Sequence, residues 1–215
     1  MGDKRGFTLV ELAIVLVIIG IILGAILKGQ ALIQNARAKR VLDDMKGLEA
    51  MVWTYYDRYG VFPGDCAPAG NGRIDSHVSG NWTLTNLDNS TTAPTAQCTG
   101  NAYNRPFNDL KFAGIADKTA PNRIEFKHAL NGPFFLGYET VNGTDYNVIA
   151  VNDVPCWAAK MIDQSIDGGI DAGTGRVRYL SGTTVTTTSD SNWTTACGTN
   201  EDAIVDLVYF FDKQP

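Results

Sequence analysis

The chain has 215 residues, enough for one domain with a buried core and an appendage. Its net charge is −5, with 44% hydrophobic and 19% charged residues. That acidic balance, with lysine and arginine scattered, argues against a nucleic-acid-binding surface, which normally carries a basic face. The apolar residues are unevenly spread: a near-continuous run fills the first thirty positions, while Gly, Thr, Asn and Asp crowd the remainder.

Residues 1–6 (MGDKRG) are short and polar and carry Lys4 and Arg5. Residues 7–27 then read FTLVELAIVLVIIGIILGAIL, broken by one charge at Glu11. As a helix they span ~31 Å at a rise of about 1.5 Å per residue, which matches a bilayer's hydrocarbon core. The basic residues ahead of the run keep the N-terminus in the cytoplasm, so the chain after Lys28 is expected beyond the membrane. A secretory signal peptide would stop sooner and present a small-x-small cleavage site. Here the pattern passes Lys28 and continues as an amphipathic helix. Glu11 is the anomaly, because a carboxylate costs about 2.5–3.5 kcal/mol at the bilayer centre and somewhat less near the interface. Either headgroups tolerate it, or it has a partner.

Gly6-Phe7-Thr8-Leu9-Val10-Glu11, behind a short basic leader and ahead of an apolar helix, resembles the processing site of type IV prepilins and type II secretion pseudopilins. The resemblance implies cleavage after Gly6 by a prepilin peptidase, methylation at Phe7, and an assembly role for Phe7 and for Glu11, which becomes fifth in the trimmed chain. It also implies further pilin or pseudopilin subunits and the bacterial inner membrane as partners, with no nucleic acid. The globular domain is expected in the periplasm before assembly and on a pilus or pseudopilus filament afterwards. Lys28 stands where many major pilins carry proline, which favours a minor pilin or pseudopilin. The expected division is a leader over 1–6, a transmembrane and filament-core helix over 7–28, and a globular domain over 29–215 that begins with an amphipathic helix over 29–59.

Within that helix Ala38, Val41, Met45, Leu48, Val52, Tyr55 and Tyr59 recur at alternating spacings of three and four, one face of an α-helix. Gly60 and Pro63-Gly64 end it. A loop-rich stretch follows, with a short helix expected over 108–115 and ending at Gly114. Strands are expected over 124–129, 134–141 and 146–151, separated by Asn131-Gly132 and Asn142-Gly143, hence a three-strand antiparallel meander. Residues 155–167 read as a helix with Pro155 in its first turn and Gly168-Gly169 as its stop. Residues 177–180 and 203–211 are further strands. Short words at 61–65 (VFPGD), 110–115 (LKFAGI) and 162–173 (IDQSIDGGIDAG) resemble a less-characterised group of prepilin-type proteins. The fold class expected is α+β, pilin-like: a long N-terminal helix, transmembrane in its first half, packed on an antiparallel sheet.

Catalysis finds little support. His77 and His128 read as surface or strand residues, and the sequence contains no Gly-x-Ser-x-Gly elbow, P-loop or His-Glu-x-x-His helix. The minor candidate is calcium, held by Asp163, Asp167 and Asp171 around Gly168-Gly169, ahead of Asp65, Asn71 and Asp75 in a second turn-rich loop. Neither has EF-hand spacing, and ordinary turns favour the same residues. Cys66, Cys98, Cys156 and Cys197 lack neighbouring histidines and favour disulfides over zinc in an oxidising compartment. Three pairings are open, of which Cys66–Cys98 with Cys156–Cys197 is preferred. The function expected is a structural subunit of a type IV pilus or type II secretion-like pseudopilus, not an enzyme. The alternative is a single-pass membrane-anchored binding module or adhesin that does not polymerise.

Overall fold

The computed structural model describes residues 8–66, 70–87 and 102–215. The chain divides into two units, Met1–Ala36 and Arg37–Pro215, and helix α1 (Leu9–Tyr59) contributes to both. In the first unit α1 supplies only exposed or near-exposed surface: large apolar side chains between residues 9 and 27 are 46–84% exposed. A window of this helix has a mean hydropathy of 3.0 with no part of it buried.

In the second unit the apolar stripe does what its spacing predicts. Ala38, Val41, Met45, Leu48 and Val52 are buried, Tyr55 is half-buried, and the stripe runs out at the exposed Tyr59. Gly60 caps the helix with φ +71° and donates its N–H to the Tyr56 carbonyl. Trp53 packs edge-on to Phe62 and Phe211, with ring centroids 5.5 and 6.0 Å apart. Lys46 and Glu49 both hydrogen-bond the Tyr209 hydroxyl, which fixes the helix to the last strand.

The sheet has five antiparallel strands in the order β1-β2-β5-β3-β4: β1 (Phe134–Val141), β2 (Thr144–Pro155), β3 (Val177–Ser181), β4 (Thr184–Val185) and β5 (Ile204–Phe210). The β1–β2 turn is Asn142-Gly143 with φ +51° and +79°, both positive as a type I′ hairpin turn requires. β2 carries a bulge between Val151 and Val154, where Asp153 adopts φ +60°. The α+β class and the pilin-like architecture expected from the sequence are what the fold shows.

The helices other than α1 are short. α2 (Arg105–Phe112) follows a single 3-10 turn at Ala102–Asn104 and starts earlier than expected; Gly114, at φ +71°, lies two residues beyond it. α4 (Cys156–Asp167) is the expected late helix, with Pro155 at its N-cap and Gly168 at φ 74° as its C-cap. α5 (Thr194–Cys197) and β4 had no sequence expectation.

One strand is a correction. Residues 124–129 do not form the first strand of a meander; α3 (Asn122–Glu125) and one isolated bridge, Lys127↔Pro133, occupy this stretch. The reason is Asn122, fully buried, whose side chain donates to Asn104 and Asn108 at 3.0 and 2.9 Å. Pro121 directs the backbone into a helical turn there. The alternating Ile124-Glu125-Phe126 pattern is overridden by partners from the 3-10 turn and α2.

Candidate functional site

The site begins where α1 begins. Thr8 precedes the first helical residue and Glu11 sits three positions later, the spacing of a capping box. The box is closed: the Thr8 amide and hydroxyl donate to Glu11 Oε2 at 2.8 and 2.7 Å, and the Glu11 amide donates to Thr8 Oγ1 at 3.2 Å. Two otherwise orphaned N–H groups are thereby satisfied at a helix end that an apolar environment could not solvate. Beyond Glu11 the helix shows apolar side chains on all sides. A helix apolar all round is stable only against lipid or against other apolar helices. Gly6 and Phe7 lie outside the described residues.

The three aspartates singled out for calcium do lie near one another, along a cleft of about 360 Å³ that Arg176 and Gln214 also line. Their oxygens are engaged as loop fasteners. Asp163 Oδ2 accepts from the Trp193 indole N–H at 2.7 Å and the Asp171 amide at 2.8 Å. Asp167 accepts from the amides of Arg176 and Val177, tying the end of α4 to the start of β3. This is possible because Gly175 (φ +78°) has no Cβ, which would lie 2.5 Å from Asp167 Oδ2. Asp171 accepts from the Gly173 and Asp190 amides and the Ser189 hydroxyl.

The three differ electrostatically. Burial pushes Asp163 up to about 7 against the pull of its two donors, and the neighbouring Asp167 carboxylate adds to the rise. Asp171 is held below the usual range: burial alone would raise it, but the donors from Ser189, Gly173 and Asp190 prevail. Among the described residues no group of three or more His, Cys, Asp or Glu is disposed to hold a metal ion. The second loop has the same character. Asp65 accepts from the Asn71 and Gly72 amides, and Asp75 from Cys66 and Arg73.

Cys156, the first residue of α4, is joined to Cys197, the last of α5, with Cα atoms 5.9 Å apart. No described cysteine is free. The Cys66–Cys98 pairing lies outside the described residues, because Cys98 does. His128 is buried rather than a surface or strand residue; it donates through Nε2 to the Asn152 carbonyl and accepts the Leu130 amide at Nδ1. Burial lowers its pKa, which keeps the ring neutral. His77 is part-exposed, 3.6 Å from Glu139.

Sequence reasoning passed over Glu139, Asn147, Asn152 and Trp193. All four are buried, and each is a polar or strained group inside an apolar setting. The two asparagines interrupt the apolar word YNVIAVND at 146–153, which was the available signal.

Residues 1–27 match the prokaryotic N-terminal methylation motif. No curated protein and no solved structure matches the chain.

Proposed function

We propose that this type IV prepilin-like chain is a structural subunit, cleaved after Gly6, methylated at Phe7 and assembled through residues 7–28 into a type IV pilus or type II secretion-like pseudopilus. The motif over residues 1–27 supports the reading, together with a helix whose first half is apolar on every side and unburied. Such a surface stays out of water in two settings, a bilayer before assembly and a bundle of identical helices after it. The basic leader orients the insertion, so Arg37–Pro215 lies in the periplasm of a bacterial cell until the filament forms. Other subunits and a prepilin peptidase are its partners, and its role is structural rather than enzymatic.

The test is an intact-mass measurement on protein from a host with an active prepilin peptidase. Loss of residues 1–6 and gain of one methyl group at Phe7 is the expected outcome. A chain that keeps residues 1–6 beside a peptidase known to be active supports the membrane-anchored binding module instead.

A further inference from the structure

Residues 72–82 reach from β1 past β2 to the β3–β4 turn, and side chains hold their backbone in place of a regular ladder. Asn147 accepts the Ile74 amide at 2.8 Å and donates to the Gly72 carbonyl at 2.9 Å. Asn152 donates to the carbonyls of Ser79 and Trp82, each at 2.8 Å, and the Gly80 amide donates to Gly182 at 2.7 Å. At the edge of β1 the segment forms one parallel bridge, His77↔Tyr138, with the Tyr138 amide donating to Ser76 and the Val78 amide to Tyr138. The approach is close: a Cβ at Gly137 would lie 1.8 Å from the Ser76 carbonyl oxygen.

Beside this bridge sits Glu139, 2% exposed. Its Oε2 is 3.6 Å from His77 Nε2, while its Oε1 and the buried Ser76 hydroxyl meet no hydrogen-bond partner among the described residues. Other charges around β1 are committed elsewhere. On β2, Asp145 is bonded to Thr140 and to Arg73, and Arg73 also binds Asp75 and stacks on the Tyr138 ring. On α2, Arg105 pairs with Asp109 and Lys111 with Glu125. A carboxylate here has one imidazole to face, and a buried charge so poorly paired is costly. Lifting residues 76–78 is the direct way to hydrate it, since they belong to no helix or strand.

We propose that residues 72–82 form a proton-latched strap, closed over the sheet while the Glu139 carboxyl is neutral and loosened as its ionisation becomes favourable. Burial holds Glu139 up at about 8, against the Thr140 amide. The opened strap returns it to the ordinary carboxylate range near ~4. A group raised in the closed state stabilises that state fully below the open-state pKa, and the contribution falls as pH climbs toward 8. The sensitive window is therefore about pH 4 to 8.

Hydrogen exchange of the full chain in detergent, corrected for intrinsic exchange rates, tests the latch. Protection of the Ile74, Val78 and Gly80 amides is expected to fall by about tenfold per pH unit across this window, while the β2–β5 ladder stays protected. Glu139→Gln, a neutral mimic, is expected to flatten that slope. Equal slopes in wild type and Glu139→Gln overturn the proposal. If the variant does not fold, the wild type alone decides: no fall in strap protection, or a fall shared with the β2–β5 amides, overturns it.

Discussion

Two chemistries compete for the Glu11 carboxylate. In the isolated chain it closes a capping box with Thr8; in an assembled filament the methylated Phe7 amine of a neighbour would be the cation that neutralises it, setting the register of incoming subunits. Glutamine separates the two, because it serves in a capping box but carries no charge. Glu11→Gln is expected to insert and be cleaved normally yet be depleted from sheared filaments, as is Glu11→Val. If Glu11→Gln assembles as well as wild type while Glu11→Val does not, the residue acts as a cap and not as a register device. Asp163 gives a second prediction at this scale. Its pKa is raised to about 7 by burial, so its protonated form is favoured in the fold. That contribution is complete below about pH 4 and is lost on the order of 1 kcal/mol per pH unit between roughly pH 4 and 7. Asp163→Asn keeps an acceptor for Trp193 and Asp171, and is expected to flatten the dependence of Tm on pH over that interval. An unchanged slope would place the titration elsewhere.

At the scale of elements, the disulfide is the clearest lever, because it pins the first turn of α4 to the end of α5 and closes a span of 41 residues. Replacing Cys156 and Cys197 together by alanine is expected to cost about 2–5 kcal/mol, read as a lower midpoint of urea unfolding; a midpoint within error of wild type would mean that packing around Trp193 holds this corner alone. Elements whose signals are local were legible in the sequence. The stripe from Ala38 to Val52 has a helical period, and Asn142-Gly143 sets the β1–β2 register by its own backbone preference. Elements defined by distant partners were not. Asn122 decides the fate of residues 124–129 through Asn104 and Asn108, both remote in sequence. The same division applies to the candidate site. The Gly6–Glu11 motif is contiguous and could be read directly, whereas the roles of Asp163, Asp167 and Asp171 depend on Trp193, Arg176 and Ser189, which folding brings to them.

At the scale of the whole molecule, the division at Ala36 and Arg37 predicts two separable behaviours. Every member of the buried core lies at or beyond Ala38, so none of it depends on the apolar N-terminal run. Residues 37–215, exported behind a cleavable secretory signal, are expected to fold as a soluble, oxidised protein that neither inserts in membranes nor joins filaments. Circular dichroism and size-exclusion chromatography check the first half of that statement, and fractionation of sheared filaments checks the second. Aggregated or unfolded material would mean that the first unit contributes to folding as well as to anchoring.

The Cys156–Cys197 bond also bears on how the protein is made. It joins the third cysteine of the chain to the fourth, with none between them. In the proposed topology, a chain held by its N-terminus and threaded outward exposes Cys66 and Cys98, then Cys156, and Cys197 last. An oxidant that pairs thiols in their order of emergence therefore forms this bond directly, and disulfide formation and reshuffling otherwise take seconds to hours. In the proposed periplasmic setting, and with Cys66 paired to Cys98 as proposed, maturation of this part of the domain is expected to depend on a thiol oxidase and not on an isomerase. Cells lacking only the isomerase are expected to accumulate the bonded form at the wild-type rate.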